Sequence, residues 1–263
     1  MCVQYDAHGT KAAIEQGEYP FDEASDFEIP FGETYVVRPS NKAPVVWHDR
    51  QAHKNRLDAF TFGMVPEWTK DEDQAQKGRY KYANARDDRL LESRMWKPRF
   101  QSKRCLIPAS GFFEPHHYSR EIQVPGGPKP TDKIPFYFRL KSTDHFAFAG
   151  LYDEWTNPKT AELWRSFSII TTGPNEQMKK VHNGRPRQPV ILNKEDYAFW
   201  LDPEAKPADY IDSNIFLPWP DEDMQHWQVS KQLHYGGSGP EQINPVDDPV
   251  VINGGGQQED LFN

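Results

Sequence analysis

Most apolar residues of this chain fall in short runs of strand length separated by turn-forming residues, and few stretches have a helical period. The runs cover residues 34–37, 45–48, 59–63, 104–108, 135–140, 145–151, 163–172 and 188–192. The turn at 141–144 predicts that the runs on either side of it form a hairpin. Many short strands with fewer helices predict an α+β fold, in which a single domain has a curved, largely antiparallel, barrel-like β-sheet and peripheral helices.

Three stretches predict helices. Residues 84–96 are the best candidate, because Asn84 can cap the helix, acidic residues follow in its first turn and Pro98 can end it. A second helix is expected to end near His182 and a third to span residues 193–200.

Composition divides the chain once. Residues 1–235 form the predicted domain, and from Gly236 onward Gly, Pro and acidic residues predict a flexible tail over 236–263. The end of this tail faintly resembles a short docking motif, which leaves open a contact with a replication clamp or another replisome component. Residues 116–134, rich in Pro and Gly, predict a loop within the domain.

The bulk composition argues against several classes of protein. Mean hydropathy is −0.85, no apolar run approaches the ~20 residues of a membrane span, and no signal segment opens the chain. Cys2 and Cys105 form neither a disulfide framework nor a zinc set, and no His cluster has metal-ligand spacing, so no metal and no cofactor are predicted. We expect an intracellular monomer without membrane contact, nuclear in a eukaryote and cytoplasmic in a bacterium.

Charge is unevenly distributed along the chain. The net charge is −8, yet residues 77–104 hold ten Lys and Arg against three Asp and Glu, a local +7 that leaves −15 for the remainder. Aromatic residues interleave with these cations: Tyr80, Tyr82, Trp96 and Phe100. Such a stretch can follow a phosphate backbone and stack bases, or it can be a solvated helix face, and the sequence leaves both open.

The first two residues, Met1-Cys2, offer a specific chemistry. Aminopeptidases remove Met before a small residue, which would leave Cys2 with a free α-amine and a thiol on adjacent carbons. The amine has a pKa near ~7.7–8.0 and the thiol near ~8.5, so both nucleophiles are accessible at neutral pH. Such an aminothiol condenses with an aldehyde to an imine, which the thiolate closes to a thiazolidine. The alternative is a chance Cys at a frayed terminus.

Four polar residues elsewhere could carry chemistry, and each has a simpler alternative. Glu114 lies in an aromatic, Pro-rich strand-to-loop setting that could desolvate it and raise its pKa, or it could pair with a basic neighbour. His182 could move protons near pH 7 or lie at the surface near a helix end. Asn84 could orient a substrate oxygen or only cap a helix, and Arg86 could bind phosphate or pair with an adjacent carboxylate.

The order of several motifs along the chain is more specific than any one of them. In sequence they are Met1-Cys2, Phe62-Gly63-Met64-Val65-Pro66-Glu67-Trp68, Asn84-Ala85-Arg86, residues 104–108 with Gly111-Phe112-Phe113-Glu114, Thr171-Thr172 ahead of His182, residues 188–192 and Trp227-Gln228-Val229-Ser230. Together, over about residues 2–235, they resemble the SRAP family (SOS response-associated peptidases, also described as abasic-site processing proteins). The chain's segment 182–189 is longer than the family's His-x-Arg-x-Pro, so either Arg185 or Arg187 can match its arginine.

The resemblance implies a function in DNA repair. The protein would bind single-stranded DNA that carries an abasic site, and Cys2 would link covalently to the ring-opened deoxyribose. Asn84 would hold the sugar or the Cys2 amine, Glu114 would shuttle protons during ring opening and imine formation, and His182 would assist at the sugar oxygen. An AP-lyase side reaction and a self-processing peptidase activity that removes at most Met1 would accompany this role.

The same resemblance implies the DNA contacts. Arg86 would bind a flanking phosphate, and the loop with Pro66 and Trp68 would act as a wedge beside the lesion. Arg185 and Thr171 complete the expected contacts.

Two functions of other classes stay open. A class-II glutamine amidotransferase also exposes an N-terminal Cys as an acyl nucleophile, although neither its Cys-Gly-Ile-like opening nor its glutamine-binding loop is recognisable here. A non-enzymatic single-stranded DNA-binding protein could use residues 77–104 without any chemistry at Cys2.

Overall fold

The computed structural model describes residues 3–25, 34–117 and 133–250 of the chain. The strands are β1 Tyr5–Asp6, β2 Glu23–Ala24, β3 Lys42–Asp49, β4 Lys54–Phe62, β5 Asn84–Arg86, β6 Arg104–Ala109, β7 Gly111–His117, β8 Lys133–Leu140, β9 Phe146–Thr156, β10 Leu163–Thr172, β11 Gln188–Pro189, β12 Ile191–Leu192 and β13 Met224–Gln228. The helices are α1 Thr10–Glu15, α2 Glu72–Gly78, α3 Lys97–Ser102, α4 Glu176–Val181, α5 Tyr197–Leu201 and α6 Pro207–Asp212. Short 3₁₀ turns lie at Asp87–Arg89, Lys194–Asp196, Asp221–Asp223, Lys231–Tyr235 and Pro240–Ile243.

Five of these strands close into a barrel. Their order around it is β4, β3, β6, β9 and β10, and the barrel closes because β10 pairs with β9 on one side and with β4 on the other. These pairings are antiparallel except that of β4 with β10, which is parallel. Short strands extend its margins, with β2 beside β4, β5 and β11 beside β10, and β12 beside β9. The prediction of an α+β domain with a curved, largely antiparallel, barrel-like sheet and peripheral helices is confirmed.

Strand β9 shows why the barrel strands appear in the sequence as continuous apolar runs. Successive side chains of a strand point to opposite faces of the sheet. Phe146 and Phe148 belong to one buried cluster with residues of the other barrel strands, whereas Ala147, Ala149 and Leu151 belong to a second cluster with α5. Because both faces of β9 are covered, its residues from Phe146 to Leu151 carry no polar side chain.

A second, antiparallel sheet with the order β1, β7, β8 and β13 packs against the barrel. Tyr5 of β1 connects the two, because its ring lies edge-on to Phe62 and to Phe148 of the barrel, with ring centroids 5.7 Å apart in each case. The N-terminal strand is therefore fixed to the core by its side chain and to β7 by its backbone.

The predicted hairpin at residues 141–144 is wrong. Strand β8 pairs with β7 and β13, while β9 pairs with β6, β10 and β12, so the two strands lie in different sheets. Both edges of β8 are occupied, by β7 and β13, so β9 cannot pair with it, and the turn connects one sheet to the other.

The predicted helix at residues 84–96 is also wrong. Asn84–Arg86 forms β5, which runs parallel to β10 at Ile169–Thr171. The hydrogen-bonding edge of a barrel strand outweighs the local helical signals here, as tertiary context often does. Pro98 begins a helix instead of ending one, because it lies in the first turn of α3, where its missing N–H costs nothing.

Most other predicted elements are confirmed. The run at 163–172 is β10, the helix expected to end near His182 is α4, and residues 193–200 fold as a 3₁₀ turn followed by α5. The run at 188–192 forms two short strands, β11 and β12. Residues 34–37 contribute only one isolated bridge, between Val37 and Tyr5, so a strand there was wrongly predicted.

The segment after residue 235 makes several contacts with the domain. Trp227 Nε1 donates a hydrogen bond to the carbonyl of Ile243 at 2.7 Å, and Val246 N donates to the carbonyl of Gln228 at 3.1 Å. The remainder of the predicted tail, residues 251–263, lies outside the described residues, as does most of the loop expected over 116–134.

Candidate functional site

Glu114 lies in the middle of β7, where the sequence had predicted a strand-to-loop boundary. Strand β7 pairs with β8 along one edge and with β1 along the other. In the pairing with β1, Tyr5 lies opposite Phe112, and Phe113 N donates a hydrogen bond to the carbonyl of Gln4 at 3.1 Å. Because the two strands are antiparallel, each step toward the N-terminus in β1 is one step toward the C-terminus in β7. Continued past Gln4 and Phe113, this register places Val3 opposite Glu114. The first described residue of the chain therefore lies beside a buried carboxyl group.

His182 is the second titratable residue at this position. Its Nδ1 lies 3.6 Å from Glu114 Oε2, and both side chains are almost fully buried. Burial raises the pKa of Glu114 to about 7 and lowers the pKa of His182 to about 3. The positive charge of Lys133, and that of His117 when it is protonated, lower the pKa of His182 further. The pair thus consists of a carboxyl group whose pKa lies near neutral pH and an imidazole that is uncharged there.

Helix α4 and the loop after it place His182. The side chain of Asn175 caps the helix by accepting a hydrogen bond from Met178 N at 2.8 Å, and His182 N donates to the carbonyl of Met178 at the other end. Asn183 then attaches the loop to β7, because its Oδ1 accepts from His117 N at 2.9 Å and its Nδ2 donates to the carbonyl of His117 at 2.7 Å. The His117 and His182 rings stack with centroids 5.8 Å apart.

Glu114 and His182 line a cleft of about 720 Å³ whose walls are strongly cationic. The cations that line it are Arg38, Arg86, Lys133, Arg185 and Arg187. Three histidines whose pKa is lowered by burial also line it, His117, His182 and His234. Glu114 is the acidic side chain among the described lining residues. In a chain of net charge −8, this concentration of positive charge marks the cleft as a site for an anionic ligand.

Arg187 is held firmly at the wall of the cleft. Its Nε donates to Thr171 Oγ1 at 3.1 Å, its Nη2 donates to the carbonyl of Thr171 at 2.5 Å, and it forms an ion pair with Asp87. Asp87 in turn accepts a hydrogen bond from Thr172 Oγ1 at 2.7 Å. Thr171 itself is buried, so it positions Arg187 and does not reach the cleft.

Arg185 and Arg86 differ from Arg187 in what holds them. Arg185 makes no hydrogen bond or ion pair within the described parts of the chain. Arg86 forms a two-point ion pair with Asp88, with Nε–Oδ1 2.9 Å and Nη2–Oδ2 2.5 Å, and both partners are exposed. The structure shows the ion pair, one of the two alternatives that the sequence left open for Arg86. Arg86 also lines the cleft, and its binding of phosphate stays a prediction.

Three other predicted site residues that the structure describes are not among those that line the cleft. Asn84 is half-buried in β5, two residues before Arg86. Pro66 is buried, and Trp68 is exposed beside it with its ring 4.6 Å from the Arg99 guanidinium. Cys2, the predicted nucleophile, lies outside the described residues and precedes Val3 in the sequence.

The predicted basic and aromatic stretch at 77–104 serves the fold more than the cleft. Arg99 and Lys103 bind the buried carboxylate of Asp153, at 2.5 and 2.6 Å, and Arg104 is buried with its guanidinium donating to backbone carbonyls. Of the ten cations in this stretch, Arg86 is the one among the described lining residues of the cleft.

Sequence reasoning missed the residues that complete the cleft. Arg38, Lys133, His117 and His234 come from separate segments, and none belongs to a motif or a charge cluster that could have indicated a shared site. Tyr80 also lines the cleft, and for this residue the sequence did hold a signal, since it falls within the stretch expected to stack bases.

The described parts of the chain hold neither a metal-binding cluster nor a membrane-spanning helix. They contain no group of three or more His, Cys, Asp or Glu side chains that could hold a metal ion. No helix in the same parts has the length and apolar character needed to cross a membrane.

The fold and site together define an α+β domain on a closed five-stranded barrel, with a cationic cleft around a buried carboxyl–imidazole pair. The chain belongs to the SRAP family, because the family model described as SOS response associated peptidase (SRAP) matches residues 1–235. The predicted resemblance to this family is confirmed.

Several similar proteins carry names that describe an activity. Abasic site processing protein YoqW of Bacillus subtilis is 38% identical over 209 residues, which cover 78% of this chain and 84% of that protein. Abasic site processing protein YoaM of the same organism is 37% identical over 222 residues, covering 81% and 88%. Abasic site processing protein HMCES of Xenopus tropicalis is 28% identical over 187 residues, covering 64% of this chain and 53% of that protein.

Solved structures have the same fold. A crystal structure of a protein from Bacteroides thetaiotaomicron matches with a TM-score of 0.77 and 26% identity, covering 93% of this chain and 100% of that one. A protein from Bordetella bronchiseptica matches with a TM-score of 0.67 at 21% identity, covering 87% and 100%, and this second likeness concerns the fold alone.

Proposed function

We propose that this protein recognises abasic sites in single-stranded DNA and, after removal of Met1, links Cys2 covalently to the opened deoxyribose. The observation that carries this proposal is the register of β1 on β7, which brings Val3 beside Glu114 and His182 in a cationic cleft. Cys2 is the next residue toward the N-terminus. The names of the relatives, which describe abasic-site processing, support the same assignment.

The reaction needs an aldehyde and an aminothiol. An abasic deoxyribose opens to an aldehyde at C1′, which the α-amine of Cys2 attacks to give a carbinolamine. Loss of one water leaves an imine. The Cys2 sulfur then adds to C1′, the nitrogen takes up a proton, and a five-membered thiazolidine results. The net change is one water lost and no oxidation or reduction, so no cofactor is required.

Glu114 and His182 suit the proton transfers in this sequence. A carboxyl group with a pKa raised to about 7 by burial can protonate the departing hydroxyl and take the proton back at neutral pH. His182, whose pKa is lowered to about 3, is a neutral imidazole that can assist at the sugar oxygen by hydrogen bonding to it, without adding a buried charge. Asn84 would hold the sugar or the Cys2 amine from strand β5, whose Arg86 lines the cleft.

The DNA strand would lie along the cationic cleft. Arg86 and Arg185 would bind phosphates that flank the lesion, and Thr171 would contribute by fixing Arg187. The loop with Pro66 and Trp68 would act as a wedge farther along the strand, since neither residue lines the cleft. These contacts give affinity without base sequence preference.

Two side activities follow from the same chemistry. An imine at C1′ acidifies the hydrogens at C2′, so β-elimination of the 3′ phosphate is an expected AP-lyase reaction. A self-processing peptidase activity would be limited to the removal of Met1, and DNA with abasic sites remains the proposed substrate.

The deciding experiment is a denaturing gel of the purified full chain with a single-stranded oligonucleotide that carries one abasic site, with intact mass measured on the same sample. We expect a band that survives denaturation, with the mass of the chain lacking Met1 plus the oligonucleotide minus one water. It should be absent with undamaged oligonucleotide and with Cys2→Ala.

The chain offers a matched control, because its other cysteine, Cys105, is fully buried in the barrel. Cys105→Ala should retain the adduct. If a sample whose mass proves that Met1 is gone gives no adduct yet still binds the oligonucleotide, the protein is a non-enzymatic single-stranded DNA-binding protein, the function that the cationic cleft alone would favour.

A further inference from the structure

The four aromatic residues of the basic stretch have different environments. Trp96 and Phe100 are buried in the core, and Tyr82 is half-buried with its ring edge-on to Trp96 at 6.4 Å. Tyr80 is 60% exposed and lines the cleft. Among these four aromatic residues, Tyr80 is the one with a ring face available to a ligand. An exposed ring gives up the stabilisation that its burial would provide.

The turn that presents Tyr80 is anchored on both sides. Before it, Arg79 is buried, with its Nη1 donating to the carbonyl of Gly63 at 3.2 Å and its guanidinium 5.6 Å from the Trp164 ring. After it, the carbonyl of Tyr82 accepts from Met64 N at 3.2 Å. The backbone at Tyr80 is therefore fixed before any ligand arrives, which lowers the entropy lost on binding.

The surroundings of Tyr80 are cationic. Burial lowers the pKa of Arg38, and the neighbouring Tyr80 offsets part of this effect, so the two side chains lie on the same part of the cleft. The Arg38 guanidinium is fixed by a hydrogen bond to the carbonyl of Leu233 at 2.9 Å. Arg86 lines the cleft as well. An exposed aromatic ring among guanidinium groups is the combination that binds an unpaired base together with its phosphates.

We propose that Tyr80 forms a subsite that stacks on the unpaired base next to the abasic nucleotide. This inference rests on the proposed function and specifies its substrate further. An abasic nucleotide has no base, so its neighbour has lost one stacking partner and exposes a ring face. A tyrosine in the same cleft as Glu114 can replace the missing partner.

The test measures equilibrium affinity of the full chain for single-stranded oligonucleotides that contain a tetrahydrofuran abasic analogue, which cannot open and so cannot crosslink. In one oligonucleotide both flanking bases are present. In two others the base on the 5′ or the 3′ side is replaced by a second tetrahydrofuran. Each is measured with wild type, Tyr80→Ala, Tyr80→Phe and Tyr235→Ala. Tyr235 is the matched control, since it is 86% exposed and is not among the lining residues of the cleft.

We expect Tyr80→Ala to weaken binding roughly 5- to 100-fold when both bases are present, the range that removal of one base–aromatic stack produces. The loss should shrink to nearly nothing on one of the two oligonucleotides that lack a flanking base. Tyr80→Phe and Tyr235→Ala should bind like wild type. Circular dichroism melting serves to show that every variant is folded.

No loss with Tyr80→Ala, or a loss of equal size on all three oligonucleotides, overturns the stacking subsite. These outcomes are independent of the adduct assay. If the base-dependent loss is found but no adduct forms on a natural abasic site, the subsite stands and the proposed covalent function fails.

Discussion

Glu114 Oε2 and His182 Nδ1 lie 3.6 Å apart, and burial displaces the pKa values of the two groups in opposite directions. Below pH 7 the carboxyl group keeps its proton, and above about pH 3 the imidazole is neutral, so over a wide range the pair carries no charge. A cleft whose described lining includes five Lys and Arg side chains thus contains an uncharged proton donor at its buried wall.

The first prediction concerns the pH dependence of crosslinking. The reaction proposed here needs the free amine of Cys2, with a pKa near ~7.7–8.0, and protonated Glu114, with a pKa of about 7. The single-turnover rate should therefore be bell-shaped, with its maximum between these values. Glu114→Gln should lower the maximum about 100-fold or more and abolish the alkaline limb, because the titrating acid is gone.

The control for this profile is Glu92→Gln, which removes an exposed carboxylate paired with Arg89 and should leave rate and profile unchanged. An alkaline limb that persists in Glu114→Gln would show that another group titrates there.

The second prediction concerns stability against pH. The folded-state pKa of Glu114 is about 7, above its ordinary value of 4.5, so the folded state binds this proton more tightly than the unfolded state does. The resulting stabilisation is fully present below about pH 4.5 and is lost as pH rises through about 7. Glu114→Gln should therefore match wild type at pH 4 and exceed its free energy of unfolding by about 1–3 kcal/mol at pH 8.

Urea unfolding at the two pH values measures this difference. His182 acts with the opposite sign, since its lowered pKa costs stability as pH falls below 6.5, and it is present in both proteins, so it cancels in the comparison. A variant less stable than wild type at pH 8 would mean that ionised Glu114 makes compensating interactions.

The strands of this fold could be predicted because their signals are local. The run that became β10 is apolar and bounded by turn residues, and the turn at 173–175 contains its own helix cap in Asn175. The family resemblance carried by the order of motifs also predicts that Glu114 and His182 belong to one site, and the structure places the two side chains 3.6 Å apart.

What could not be predicted depended on partners distant in sequence. Asn84 has the side chain of a helix cap, but the free edge of β10 at Ile169 made its segment a strand. Lys133 and Arg38 lie in the cleft only because β8 and the chain before β3 converge there, and no local pattern encodes that. Pairing between strands far apart in sequence determines such positions.

The third prediction tests the link between Gly63 and the turn that carries Tyr80. Gly63 has φ +89°, and a Cβ there would lie 2.7 Å from the carbonyl oxygen of Arg79 and 2.8 Å from its Cβ. Gly63→Ala must strain the backbone or displace that turn, at a cost of about 1–3 kcal/mol. We expect a lower melting temperature and weaker DNA binding. Gly17→Ala, also at positive φ but with open space around it, should lose stability only.

The fourth prediction concerns the loop that follows His182. Asn183 makes two hydrogen bonds to the backbone of His117, and these attach the loop with Arg185 to β7. Asn183→Ala should cost about 1–2 kcal/mol of stability and reduce both DNA affinity and the crosslinking rate, because His182 and the loop lose their common anchor. Asn193→Ala, whose side chain bonds only to Asp196 at the surface within the described chain, is the matched control and should behave like wild type.

The last prediction decides which arginine holds a phosphate. Arg187 is already neutralised by Asp87 and fixed by Thr171, whereas Arg185 lines the cleft without an ion-pair partner in the described residues. A phosphate bound by Arg185 needs no existing pair to break, so Arg185→Ala should weaken binding to all single-stranded sequences and reduce the slope of log affinity against log salt by about 0.7. Arg187→Ala removes a cation but leaves Asp87 without its ion-pair partner near the cleft, so it should cost stability as well as affinity.

The variant Asp87→Asn separates these two effects. If Arg187 also binds phosphate, its release from the ion pair should strengthen DNA binding. If Arg187 only holds the wall of the cleft, DNA binding should weaken. Salt titrations of the three variants on one tetrahydrofuran oligonucleotide measure this, and an unchanged slope in Arg185→Ala would assign the phosphate to another cation of the cleft.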